Sequence, residues 1–217
     1  MAREKVRRFA AEPYWGRPVP GFGDAGARLL VVGLAPAAHG GNRTGRVFTG
    51  DRSGDFLFGA LHRAGFANQS GSVARSDGLR LDGAWIAALV RCAPPANRPA
   101  AEEIGRCRGY LAREMALLPR LAVVLALGGV AWKGFVDLMR SAGRHAGPAP
   151  RFAHGAVAAV GGFTLIGCYH PSQQNTFTGR LTPAMIDAVL ATARARLGAG
   201  HSCASRAAPT GPEDRAR

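Results

Sequence analysis

Leu29-Leu-Val-Val-Gly-Leu34 runs directly into the glycine-, asparagine-, arginine- and threonine-rich stretch Ala35 to Arg52, and then into Ser53-Gly-Asp-Phe-Leu-Phe-Gly-Ala-Leu61. A short apolar run ending in glycine reads as a buried parallel strand feeding a loop. Ser53 reads as the N-cap of a helix, because Phe56, Leu57, Ala60 and Leu61 follow at helical spacing until Gly65 stops it. Strand, polar loop and helix are the first part of a βαβ unit.

The pattern recurs along the chain. Trp85 to Val90 is a second apolar strand, Cys92 to Pro99 a proline-rich loop, and Ala101 to Leu118 a helix with Ile104, Cys107, Leu111, Met115 and Leu118 on one face. Leu121 to Leu127 forms a third strand, and Gly128-Gly129 turns the chain into a helix through Trp132, Phe135 and Leu138. After a Gly/Pro-rich link, Phe163 to Tyr169 is a fourth strand, and a helix from Pro183 to about Leu197 closes the domain. Strands alternating with helices predict an α/β fold, a three-layer αβα sandwich on a four-stranded parallel sheet with right-handed crossovers. Residues 1–197 read as one domain, and the aperiodic Ala, Arg, Ser and Pro-rich residues 198–217 as a disordered tail. In such a sheet ligands sit at the carboxyl ends of the strands. The two most polar loops, Ala35 to Arg52 and His170 to Arg180, both follow strands directly.

Composition narrows the function. The 217-residue chain is 47% hydrophobic and 19% charged, enough for a cored domain. Its formal charge of +14 is almost all arginine, whose planar fork suits phosphate oxygens and makes a polyanion the natural partner. No apolar stretch approaches the roughly 20 residues needed to span a bilayer, so a cytoplasmic, nucleoid-associated protein is expected. Cys92, Cys107, Cys168 and Cys203 are too irregularly spaced for a disulfide framework and read as reduced thiols or metal ligands. Neither a Walker lysine loop nor a Gly-x-Gly-x-x-Gly turn follows the first strand, and no His/Glu cluster suggests catalytic zinc.

Two long motifs carry a resemblance. Gly33-Leu-Ala-Pro-Ala-Ala-His39-Gly-Gly-Asn42-Arg-Thr-Gly-Arg-Val-Phe48-Thr-Gly-Asp51 and His170-Pro-Ser172-Gln-Gln174-Asn-Thr-Phe177-Thr-Gly-Arg180, with Tyr14-Trp-Gly-Arg-Pro-Val-Pro-Gly-Phe-Gly-Asp24 and Arg91-Cys-Ala-Pro-Pro95, resemble family 5 uracil-DNA glycosylases. The resemblance runs from about Tyr14 to Leu197. It implies a monofunctional glycosylase of base excision repair that swings a damaged base out of double-stranded DNA and hydrolyses its N-glycosidic bond.

The resemblance also implies roles. Phe48 becomes the platform on which the base stacks, against the alternative of a core phenylalanine. The backbone around Gly33 lets the chain approach the ligand. His170 donates a hydrogen bond to the base oxygen that gains charge as the bond breaks, and Ser172 holds a phosphate. Asn42, Arg43, Gln174, Phe177 and Arg180 face the DNA, with Gln174 or Phe177 as the wedge in the base stack. Many relatives in other branches carry an acid or amide where this chain has Ala35. The water-orienting role passes to Asp51, which would alternatively, or additionally, cap the following helix. Ala37 stands where some relatives have a bulky aromatic, and Ala88 replaces a base-reading asparagine, with Asn97 a partial substitute. A pocket with fewer obligate hydrogen bonds predicts tolerance of hypoxanthine, xanthine or modified cytosines beside uracil.

Family 5 members resemble one another in holding a [4Fe–4S] cluster on four cysteines. Cys92 and Cys107 match the later pair, whereas the earlier Cys-x-x-Cys has no counterpart here. A cubane needs four ligands, so a chain starting too late or a lost cluster is expected, with Cys168 a small buried hydrophobe. Neither motif contains lysine, so no lyase step is expected. A monomer is expected. The rival reading is a catalytically silent nucleic-acid-binding protein on the same scaffold, against which His170 and Asp51 argue.

Overall fold

Neighbouring residues of the first predicted strand serve opposite cores. Leu29 and Val31 belong to one apolar cluster, Leu30 and Val32 to another, and all four are fully buried. A strand whose alternate side chains are all apolar lies in a sheet covered on both faces. The computed structural model describes residues 5–199. In chain order its elements are β1 (Phe22–Gly23), β2 (Leu29–Gly33), α1 (Gly41–Thr44), α2 (Arg52–Arg63), β3 (Ala84–Ala88), α3 (Ala101–Ala116), β4 (Val123–Leu127), α4 (Gly129–Ser141), β5 (Val157–Val160), β6 (Phe163–Cys168), α5 (Gln173–Phe177) and α6 (Pro183–Ala199).

The sheet order is β1-β3-β2-β4-β6-β5. The four expected strands are its interior, β3-β2-β4-β6, and pair in parallel. The expectation of a four-stranded parallel sheet is nonetheless corrected. β1 and β5 add antiparallel edges and make the sheet six-stranded and mixed. β5 turns back into β6 through Gly161-Gly162, both at positive φ, a two-residue hairpin turn that only glycine adopts without strain.

α2 and α6 cover one face, where Leu57, Phe58 and Leu61 meet Ile186, Leu190 and Ala193. α3 and α4 cover the other, where Leu111 and Met115 join Trp132, Phe135 and Val136 over Leu30 and Val124. Truncating any of the fully buried leucines to alanine would cost about 2–5 kcal/mol. The caps are local. Glu103 accepts the Ala100 N–H at 2.7 Å at the start of α3, and Gly65, at φ 71°, ends α2. The tail expected from residue 198 lies outside the described residues, apart from the end of α6. Among the described residues no helix is long and apolar enough to cross a membrane.

Register fixes where function sits. Gly33 lies opposite Ala88, and Leu127 opposite Cys168, so the parallel strands end together. The chain moves from β2 to β3 on one side and reaches β4 on the other, a topological switch point at β2. The loops at 34–51, 89–100 and 169–172 therefore open on one edge.

Candidate active site

Asp51 ends the long loop after β2 and starts α2. It is extended, and its Oδ1 accepts the Gly54 N–H at 2.9 Å, so Asp51 rather than Ser53 is the N-cap. Its carboxylate lies against Gly40, where a Cβ would overlap it. Burial pushes the carboxyl above its ordinary value, the Gly54 amide opposes that shift, and the neighbouring Asp55 adds to it.

Phe48 is held at φ 51°, a left-handed conformation that costs a bulky residue about 1–3 kcal/mol. Its ring rests on Gly33, where a Cβ would stand 2.8 Å from Cζ. It faces His170 with ring centroids 6.0 Å apart and planes inclined by 36°. Such strain persists only where the surroundings impose it, and sequence gives no sign of it.

His170 lies two residues past the end of β6. Burial lowers its pKa, which keeps the imidazole neutral near pH 7. The Asn175 side chain donates to its carbonyl at 2.8 Å. One residue earlier, the Tyr169 N–H donates to His154 Nδ1 at 3.2 Å, with the two rings 5.0 Å apart. His154 is a supporting group that the sequence did not single out.

Phe48, Asp51 and His170 line one small pocket of about 50 Å³ together with Ala35, Ala37 and Ala88. Pro36, Val47 and Ser53 complete the wall. The pocket thus pairs an acid with an imidazole, floors them with an aromatic ring, and offers alanines where polar side chains would read a ligand. Asp51 also lines two wider surface grooves, of about 950 and 520 Å³, whose other walls include Arg8, Phe9 and Arg52. A ligand entering the pocket therefore passes over basic surface.

The remaining expected residues fall into two sets. Gln174 and Arg180 are exposed, and Phe177 is 67% exposed on the larger groove, with the Arg52 guanidinium 5.5 Å from its ring. Arg180 lies over Tyr169. Asn42 and Arg43 are instead held within the loop. Asn42 is buried and donates to the Ala38 carbonyl at 3.2 Å, and all three Arg43 nitrogens have protein acceptors. Ser172 caps α5, accepting the Asn175 N–H. Asn97, also at positive φ, lines the smaller groove and not the pocket, so it does not join Phe48 and His170.

Beneath the loop lies a buried network that sequence reasoning missed. Arg46 pairs with Asp77 at 2.6 Å, with side chains 3% and 8% exposed. It also donates to Ser72 at 2.8 Å and Thr49 at 2.9 Å. This pins the motif to residues 72–77. No motif joins Arg46 and Thr49 to Ser72 and Asp77 in the sequence.

Cys92 is exposed, Cys107 half-buried, and Cys168 fully buried with its thiol pushed up to about 12. Burial raises the Cys92 thiol too, and the nearby Cys107 adds to it. Among the described residues no group of three or more His, Cys, Asp or Glu is placed to hold a metal. A four-thiolate cluster does not fit the described residues.

Comparison with known proteins agrees with this arrangement. Residues 20–194 match the model of the uracil DNA glycosylase superfamily. The chain is 54% identical to the Type-5 uracil-DNA glycosylase of Mycobacterium tuberculosis, over 89% of this chain and 72% of that one. It is 49% identical to that of Thermus thermophilus, over 88% of each, and 46% identical to that of Pyrobaculum aerophilum, over 89% of this chain and 82% of that one. The chain belongs to the uracil DNA glycosylase superfamily and resembles its type-5 members.

Proposed function

We propose that this member of the uracil DNA glycosylase superfamily is a monofunctional DNA glycosylase, hydrolysing the N-glycosidic bond of uracil and of other deaminated bases, hypoxanthine and xanthine among them, in double-stranded DNA. The observation that carries the reading is the convergence of Phe48, Asp51 and His170 on one pocket at the carboxyl edge of the sheet. An extruded base stacks on Phe48 while the neutral His170 donates a hydrogen bond to its carbonyl oxygen. As the C1′–N bond breaks, the base leaves as an anion whose charge the His170 hydrogen bond stabilises, and it then takes up a proton from solvent. Asp51 orients a water and favours the positive charge on the sugar. The water oxygen bonds to C1′ and its proton passes to Asp51 and then to solvent.

Breadth follows from Ala35, Ala37 and Ala88. None of these side chains can donate or accept a hydrogen bond, and a site that demands few hydrogen bonds rejects few analogues. The basic grooves suit the flanking phosphates, and the formal charge of +14 favours capture of a polyanion.

The test uses duplexes carrying one uracil, hypoxanthine, xanthine or normal base, incubated with the protein and then treated with alkali. Strand scission at the modified site only after alkali supports the reading. Scission without alkali would indicate a lyase, and intact uracil strands would leave a binding protein on a repair scaffold.

A further inference from the structure

We infer that Arg43 is a positioning residue that sets the Asp51 carboxylate through the backbone on either side of it; the inference rests on the reading of Asp51 as the water-orienting acid. Arg43 Nε donates to the His39 carbonyl at 2.7 Å, and Nη2 to the Gly50 carbonyl at 3.1 Å. Gly50 immediately precedes Asp51 in the chain. His39 immediately precedes Gly40, the residue against which the Asp51 carboxylate lies. One planar guanidinium therefore ties together the two backbone segments between which the carboxylate sits.

The strut is itself held. Nη1 pairs with Glu12 at 2.5 Å, and the guanidinium carbon lies 4.1 Å from the centre of the Phe9 ring. The Arg43 side chain, 12% exposed on the wall of the larger groove, already has all three nitrogens engaged by protein acceptors, which leaves little of it for a phosphate. Five N–H donors in a rigid fork can span two carbonyls and a carboxylate at once, which a lysine ammonium on a flexible stem cannot reproduce. The geometry separates Arg43 from the exposed Arg180, whose guanidinium lies over Tyr169 at the surface.

The experiment measures single-turnover uracil excision from a duplex, at saturating protein and across pH, for the wild type, Arg43→Gln, Arg43→Lys, Glu12→Gln and Asp51→Asn. Affinity for the same duplex without uracil is measured by fluorescence anisotropy. A displaced acid predicts that Arg43→Gln slows excision by about tenfold to a hundredfold while affinity changes less than about twofold. Removing a cation near Asp51 also moves the acid limb of the rate profile to higher pH. Arg43→Lys restores the limb but not the rate. If Asp51→Asn is inactive while Arg43→Gln keeps the wild-type rate and limb, the inference fails and the reading of Asp51 stands. If Asp51→Asn keeps the wild-type rate, that reading fails and the inference with it. Weakened affinity with an unchanged saturating rate makes Arg43 a phosphate grip and overturns the proposal. Should Arg43→Gln not fold, Glu12→Gln, a change on the surface side of the strut, decides: a several-fold slower rate with unchanged affinity supports the inference, and an unchanged rate overturns it.

Discussion

The Asp51 carboxylate accepts the Gly54 amide N–H at 2.9 Å while lining the pocket that Phe48 and His170 share, so one side chain both starts a helix and faces the pocket. The two duties separate by substitution. Asn caps a helix about as well as Asp, whereas alanine loses about 1 kcal/mol. Burial raises the Asp51 pKa, so the folded state holds its proton more tightly than the unfolded chain does. The stability linked to that proton is complete below the unfolded value and is lost as pH rises through the folded one. At pH 7 the buried charge is therefore a burden. Asp51→Asn is expected to match or exceed the wild-type melting temperature yet lose excision, and Asp51→Ala to lose both. Thermal melts beside single-turnover assays check this; an active Asp51→Asn would reduce Asp51 to a cap.

The same burial shapes the pH profile. In the proposed mechanism excision needs Asp51 ionised and His170 neutral. Asp51 is raised from 3.8 and His170 lowered from 6.5, both chiefly by burial. The rate is expected to fall on the acid side from a point above the ordinary carboxylate value, and His170→Gln to leave that limb in place while lowering the plateau. Rates measured from pH 4 to 9 test it. A fall on the alkaline side that His170→Gln removes would instead show that the imidazole works protonated.

The Arg46–Asp77 pair predicts how the loop fails. Removing one partner of a buried pair leaves an uncompensated charge, at a cost of about 3–5 kcal/mol. Arg46 and the backbone N–H groups of Leu79, Ala74 and Val73 outweigh burial and hold the Asp77 carboxyl far below its ordinary value. Its contribution is thus complete above the unfolded carboxylate value and is lost as pH falls through the folded one. Asp77→Asn should lower the urea midpoint at pH 7 and shrink the difference from wild type in strong acid. Equal midpoints at pH 7 would mean that the network does not stabilise the loop.

The interior of the sheet was legible because four apolar runs alternate with helical periodicity, and burial on both faces leaves that pattern nowhere else to go. The edges were not. β1 is two residues long within a Pro- and Gly-rich stretch, and β5 is marked only by Val157 and Val160 before Gly161-Gly162, a hairpin signal hidden by the looser link ahead of it. At the site, the resemblance carried by two motifs singled out Asp51, Phe48 and His170, and the structure brings the three to one pocket. The resemblance of the first motif assigns Arg43 and Asn42 to the DNA. Their carbonyl acceptors come from the loop's own fold, which residue type does not reveal. Nor does it reveal the left-handed Phe48, or Asn97 turned to the outer groove.

Phe177 rather than Gln174 is the expected wedge. Both lie on α5 close after His170, but Phe177 is 67% exposed on the groove that leads to Asp51, so most of this aromatic side chain stands in water in the free protein. Its ring, backed by Arg52 at 5.5 Å, supplies the flat apolar surface that replaces a base lifted out of the stack. Gln174 offers an amide that must lose its water to enter there. A wedge matters only where a stack must be opened. Phe177→Ala should therefore slow excision of uracil from a duplex by about tenfold to a hundredfold, in line with a loss of about 1–3 kcal/mol of stacking, and leave single-stranded uracil nearly unaffected. Gln174→Ala should change both by less. Equal losses on duplex and single strand would place Phe177 among the groups that bind the strand in general, and a larger duplex-specific loss for Gln174→Ala would transfer the role to the amide.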